Sequence, residues 1–263
     1  MISADRKRIY VETGKKRKNS PALLDLSAEP GFKYDTHLHT SEASACAYDT
    51  GADMVRAYSS AGYQGFIVTD HFFNGNTSVP PHLPWGKRVD LFCRGYENAK
   101  EEGDKCGFQV FFGWEYGYHG TDFLTYGLDK NYLLEHPDVL KWGLMEYADH
   151  VHAHGGFIVH AHPFREAFYI SRIRLYPDMV DAVESINASH TNPVFNLRAS
   201  EYAKEHGLPS VSGSDAHSVR PLPGGGVAFD RKLDSIQDYI KIIKTGKGYH
   251  LLGNSGLHET VGE

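Results

Sequence analysis

The sequence predicts an α/β protein whose parallel sheet closes, or nearly closes, into one (β/α) barrel domain. Two observations carry this. From residue 33 onward, short apolar strands alternate with amphipathic stretches, several of which end in glycine. The unusual polar residues gather at strand ends, where a parallel barrel collects its chemistry.

The elements follow in order. "KYDTHLH" (33–39) is the first strand, and "GADMVRAYSSAG" (51–62) is a helix with apolar or small residues at helical spacing. "GFIVTDH" (65–71) is a buried strand, a helix follows over about 87–103, and "FQVFFGWE" (108–115) and "DFLTYGL" (122–128) are strands. "DVLKWGLMEYADHVHAHGG" (138–156) predicts a helix closed by two glycines, leading into the strand "FIVHAHP" (157–163). "MVDAVESIN" (179–187) is a strand, 192–207 a helix, and "LPSVSGSDAH" (208–217) a strand running into a loop. The segments 224–230, 235–246 and 248–252 complete the pattern. No internal repeat, low-complexity tract or second-domain linker interrupts it.

Composition narrows the function classes. With 263 residues and 41% hydrophobic content the chain can bury a substantial core. A net charge of −6 supplies no global basic field for nucleic acid or an anionic membrane. Cys46, Cys93 and Cys106 are odd in number and contain no CxxC pair, which points to a reducing compartment. No apolar run approaches the ~20 residues of a membrane span, and the N-terminus lacks a signal-peptide core, so a cytoplasmic protein is expected. Residues 1–32 form a basic extension with clusters at Arg6–Arg8 and Lys15–Lys18, read as a solvated arm rather than a nucleic-acid contact. Residues 254–263 are a tail.

Sixteen histidines are the compositional outlier. On a strand, alternate side chains share a face, so Asp35, His37 and His39 converge. His37 and His39 end the first strand, Asp70 and His71 the second, and Glu115 the third. Asp122 starts the fourth, His160 and His162 end the next, and Asp215 and His217 follow a late one. Such groups are expensive to bury without partners. A metal cluster resolves the cost, because imidazoles suit zinc, iron, manganese or nickel and carboxylates can bridge two ions.

Taken together, "DTHLHT", "TDH", "GWE", "AHP" and "GSDAH", in that order, resemble the PHP family, the polymerase and histidinol phosphatase superfamily of metal-dependent phosphoesterases. The resemblance covers about residues 33–252. It implies a distorted seven-stranded TIM-like (β/α) barrel and a site of two or three divalent ions (Zn, Mn or Fe), with a metal-bound water or hydroxide as nucleophile. His37, His39, Glu115 and Asp215 would hold the first ion, with Glu115 bridging to a second that His162 also binds. His71 and His217 look like ligands of the third.

Two positions depart from the family pattern. Where relatives carry a further third-metal ligand this chain has Ser44 and Ala45, so Glu42 or Cys46 would have to substitute. The extra second-metal histidine of relatives is replaced either by Asp122 or by His119. Asp122 is preferred because "DFL" enters a strand.

The remaining polar groups have plainer readings. His160 is expected to orient a ligand, Asp35 to orient one of the first two imidazoles, and His150 and His154, at i and i+4 on a helix, to be structural. Arg165 in "HPFR" is a candidate phosphate clamp. Asn187 and His190 should lie near the barrel mouth, and the segment 72–88 reads as a loop over the site. Gly224–Gly226 lack the Lys-Ser/Thr of a P-loop.

The expected function is metal-assisted hydrolysis of a phosphate ester. Glu115 would bridge ions ~3.5–4 Å apart, Asp215 would bind metal and accept a proton, and Arg165 would neutralise charge. A small phosphorylated substrate, such as histidinol phosphate or a nucleotide, comes first. A nuclease or oligonucleotide phosphodiesterase and a non-catalytic metal-binding module are the alternatives.

Overall fold

The computed structural model describes residues 31–168, 170–222 and 224–253. The basic extension through residue 30 and the tail 254–263 lie outside the described residues, and so do their expected roles.

Among the described residues nine strands form one sheet: β1 (Phe32–Leu38), β2 (Gly65–Val68), β3 (Gln109–Tyr118), β4 (Thr121–Tyr126), β5 (Phe157–Ala161), β6 (Ala182–Asn187), β7 (Ser210–Gly213), β8 (Gly226–Phe229) and β9 (Tyr249–Leu252). Their order is β7-β6-β5-β4-β3-β2-β1-β8-β9. The expected barrel is present in nearly closed form. Asp215 N–H donates to the His37 carbonyl at 2.7 Å and His39 N–H to Ala216 O at 2.9 Å, so the chain leaving β7 joins the end of β1. Lower in the seam, β8 pairs with the first half of β1, and Ser212 of β7 bonds both Gly226 and Leu252.

The sheet differs from the expectation in two respects. It has nine strands rather than seven, β8 and β9 being the additions at the seam. It is also mixed rather than parallel, since β4 runs antiparallel to both β3 and β5. The cause is local. Only His119 and Gly120 separate β3 from β4, which is room for a hairpin and none for a crossover helix.

Helices α1 (Gly51–Ser60), α2 (Trp85–Phe92), α3 (Arg94–Cys106), α4 (Lys130–Glu135), α5 (Leu144–Ala153), α6 (Pro193–His206) and α7 (Ile236–Thr245) are the α-helices of the described residues. Thr50 and Asp53 form a capping box on α1, Asn192 caps α6 ahead of Pro193, and Ser235 caps α7. The expected helix 87–103 is divided at Cys93 into α2 and α3. The expected helix 138–156 is replaced by a 3-10 turn at Val139–Lys141 and by α5, which begins only after Gly143.

Packing places the mouth of the barrel. Tyr34, Tyr126, Phe157, Val159, Tyr239 and Ile243 fill the lower part between the strands and α7, all fully buried. This apolar plug leaves the upper ends of the strands to polar side chains. No helix among the described residues is long and apolar enough to cross a membrane.

Candidate metal centre

At the upper end of the barrel the structure brings together His37, His39, His71, Glu115, Asp122, His162, Asp215 and His217 from six strand ends. Their ligand atoms form sets within 4.8 Å: His37, His39 and Asp215; Glu115, Asp122 and His162; His39, His71 and His217; and His37, His162 and Glu184. His37, His39, Glu115, His162 and Asp215 are buried, while His71 and His217 face a cleft.

Two backbone features aim these groups. His162 (φ 27°) and Asp215 (φ 55°) both adopt the left-handed region, unusual for residues with a Cβ. His162 directly follows the last residue of β5 and Asp215 lies two residues past the end of β7, and both side chains turn inward. This overturns the shared face expected for His160 and His162, because β5 ends at Ala161. His160 instead stacks on Phe123 at 5.2 Å, with Nδ1 3.3 Å from Tyr202 Oη, and orients no candidate ligand.

The donor and acceptor pattern tests whether the residues fit metal ions. His37 donates from Nδ1 to Glu184 Oε1 at 2.8 Å, which leaves a lone pair on Nε2. That Nε2 faces Glu115 Oε1 and Asp215 Oδ1, both at 3.5 Å. Ser44 Oγ donates to Asp70 Oδ1 at 2.7 Å, so His39 Nδ1, 3.3 Å from that oxygen, is the donor of its pair. His39 Nε2 then presents a lone pair 3.2 Å from both His37 Nε2 and Asp215 Oδ1. Glu115 Oε2 is buried and accepts no hydrogen bond, although His71 Nδ1 lies 2.5 Å away. Acceptor faces acceptor across the cluster, an arrangement that a cation or a shared proton relieves. The residues fit divalent ions.

Electrostatics agree. Burial disfavours charge on His37, but Glu184 and Asp215 outweigh it and push its pKa well above the ordinary value. Burial, with His71 and His217 beside it, holds His39 well below. Burial works against ionised Glu115, yet His71, His162 and His37 keep its carboxyl well below the usual range. Burial and the charge of Glu115 raise Asp122 to about 6.

Several side chains have jobs the sequence did not reveal. Glu184 is the main omission. Its Oε1 holds His37, and its Oε2 accepts the His162 backbone N–H at 2.9 Å and Asn187 Nδ2 at 3.0 Å. Gly213 makes room for this, since a Cβ there would lie 2.4 Å from His37 Cβ and 2.6 Å from Glu184 Oε1. Asp35 does not orient an imidazole. It accepts from Tyr58 Oη at 2.5 Å, Ser214 N–H at 2.9 Å and the His37 backbone N–H at 3.1 Å. An irregularity of β1 between Asp35 and Leu38 breaks the strict alternation that would have put Asp35 beside the rings. Glu42 is also excluded as a substitute ligand, because its carboxylate takes Gly51 N–H and Asn98 Nδ2.

The cleft above the cluster has a volume of about 540 Å³ and is lined by Cys46, His71, Glu115, Asp122, Arg165 and His217, with His119 at its wall. Arg165 pairs with Asp215 Oδ2 and donates from Nε to His190 Nε2 at 3.3 Å. His190 is fixed in turn by Asn196. His150 and His154 lie away from the cluster, beside Trp142 and Tyr132.

Comparison with known proteins bears on this geometry. A two-domain protein from Bacteroides vulgatus, described as containing a predicted PHP-like metal-dependent phosphoesterase, superposes with a TM-score of 0.62 at 15% identity, over 90% of this chain and 69% of that one. PsfC from Pseudomonas syringae superposes with a TM-score of 0.54 at 17% identity, over 80% and 87% of the two chains. A family described as PHP-associated matches residues 193–247, a span that includes Asp215 and His217. The chain shares the fold of these two proteins, and its residues 193–247 match the PHP-associated family. No curated protein matches it. Within this fold the cluster occupies the ends of β1, β2 and β5, Glu115 within β3, the start of β4 and the turn after β7.

Proposed function

We propose that this chain is a metal-dependent phosphoesterase acting on a small phosphate ester. One observation carries the reading: the two oxygens of Glu115 divide between two sets of imidazoles. Oε1 faces His162 at 3.0 Å and His37 at 3.5 Å, while Oε2 faces His71 at 2.5 Å and His39 at 3.7 Å. A bridging carboxylate has this disposition. In this reading His37, His39, Glu115 and Asp215 hold one ion, Glu115, His162 and Asp122 a second, and His71 and His217 a third. Bound there, divalent ions acidify a water and neutralise phosphoryl oxygens.

The chain's own residues supply the rest. Arg165 holds Asp215 Oδ2 and keeps the carboxylate ionised, which leaves Oδ1 facing His37 and His39 as the oxygen that would bind the first ion. The free guanidinium edge of Arg165 binds a phosphoryl oxygen at the cleft wall. The cleft volume falls within the range of small-ligand sites, which favours a phosphorylated small molecule.

The test is a panel of phosphomonoesters and phosphodiesters assayed with manganese, zinc and iron, with elemental analysis of the same samples. Phosphate release from monoesters is expected, and Glu115→Gln should lose both turnover and bound metal. An unchanged rate in that variant would overturn the assignment.

A further inference from the structure

Asp70 is buried two residues past the end of β2, beside the candidate ligand His71, yet it belongs to none of the ligand sets among the described residues. Its carboxylate is committed elsewhere. Oδ1 accepts the Thr40 N–H at 2.6 Å and the Ser44 hydroxyl at 2.7 Å, and Oδ2 accepts the Thr40 hydroxyl at 2.6 Å. Gly95 of α3 leaves the room for this, since a Cβ there would overlap Thr40 Oγ1 and lie 2.8 Å from Asp70 Oδ2.

The Ser44 hydroxyl carries the contact onward. Ser44 is buried, and the oxygen that gives its proton to Asp70 accepts the His71 backbone N–H at 3.0 Å and faces His39 Nδ1 at 3.3 Å. A hydroxyl has one proton to donate and two lone pairs to accept with, and here all three are used. Ser44 thus keeps no lone pair for an ion. One oxygen instead holds two residues from the ends of different strands. In the ligand sets His39 stands with His37 and Asp215, and again with His71 and His217.

We propose that Ser44, oriented by Asp70, is a positioning residue of the metal centre that fixes the tautomer of His39 and the place where His71 leaves β2, coupling the two ligand sets that share His39. This rests on the metal-centre reading above. The Asp70 carboxylate sets the direction of the Ser44 proton, so the hydroxyl can only accept from His39. The His39 proton then sits on Nδ1, and Nε2 keeps its lone pair toward the other ligands. Without the hydroxyl His39 can carry its proton on either nitrogen, and a proton on Nε2 blocks an ion.

The experiment uses the metal-stripped full-length chain labelled with heavy nitrogen. Imidazole NMR spectra at neutral pH read the tautomer, with the His39 signals identified by their absence from His39→Gln, and chelator competition reads zinc affinity. Wild type should hold His39 as the single Nδ1–H tautomer. Ser44→Ala should lose that single tautomer and bind zinc about 10–100-fold more weakly, the range for losing a partner that orients a ligand. Asp70→Asn keeps the packing and weakens the hold on the Ser44 proton, so it should move both readouts the same way by less. Thr40→Val removes a different hydrogen bond of Asp70 and spares the Ser44–His39 contact, so it should keep the wild-type tautomer and affinity. Wild-type readouts in both Ser44→Ala and Asp70→Asn, or an equal loss in Thr40→Val, overturn the role of Ser44 and leave the phosphoesterase reading standing. A wild-type chain that binds no zinc overturns both.

Discussion

Glu184 Oε1 lies 2.8 Å from His37 Nδ1, with both side chains fully buried. The partners are 147 residues apart in the chain, yet this one carboxylate fixes the ring of His37 and, through Oε2, the backbone of His162. Partners of this kind orient imidazoles and raise their basicity.

Glu184→Ala is therefore expected to weaken metal binding by about 10–100-fold. It also strands three buried donors, His37 Nδ1, the His162 N–H and Asn187 Nδ2, which costs on the order of 1–3 kcal/mol for each. Glu184→Gln keeps the shape but can accept at only one end, and should fall between. Chelator-competition titration and thermal unfolding measure the two effects separately. Wild-type metal affinity in Glu184→Ala would show that the carboxylate only fills space.

A second pair, away from the cleft, sets a pH dependence of stability. His152 on α5 lies 2.9 Å from Asp181 Oδ2, which also accepts the Ile158 N–H of β5 at 2.8 Å. The hydrogen bond with Asp181 raises the His152 pKa against burial. Burial opposes ionisation of Asp181, but His152 and the Ile158 N–H outweigh it and lower its pKa. His152 then stabilises the fold fully below its ordinary 6.5 and loses that contribution as pH rises through its raised value. Asp181 contributes above its ordinary 3.8 and loses it as pH falls through its lowered value. The melting-temperature difference between wild type and His152→Ala should be largest between these limits and shrink toward alkaline pH. With the His152 side chain 38% exposed, screening keeps the effect below ~1 kcal/mol. A difference constant from pH 5 to 9 would rule the ion pair out as its source.

Most of the cluster was legible because its residues interrupt apolar strands at their ends, where a buried polar group has few plain explanations. Glu184 was not. It sits within "MVDAVESIN", where one acid in a strand is ordinary, and only the fold brings it to His37. The strand directions were hidden for a different reason. Apolar runs separated by polar stretches look alike whether a hairpin or a helix joins them, and the β3–β4 turn is only two residues long. The reading of Asp35 failed at the irregularity of β1, which alternation cannot foresee. The reading of His160 failed because the left-handed turn at His162 is a property of the site rather than of any local sequence preference.

In the phosphoesterase reading proposed above, Arg165 separates binding of the ester from binding of metal. Its guanidinium spans Asp215 Oδ2 and His190 Nε2, and both Asp215 and Glu115 favour its charge against burial. Lysine keeps the charge but cannot hold two partners in a fixed plane. Arg165→Lys should therefore retain the full complement of metal while kcat/KM falls about 10–100-fold, the equivalent of one charge-assisted hydrogen bond of ~1.5–3 kcal/mol. Inhibition by inorganic phosphate should weaken in parallel if the guanidinium acts on the ground state, whereas a fall confined to kcat assigns it to the transition state. Loss of metal from Arg165→Lys would instead make the residue a support for Asp215, and unchanged kcat/KM would remove it from the reaction.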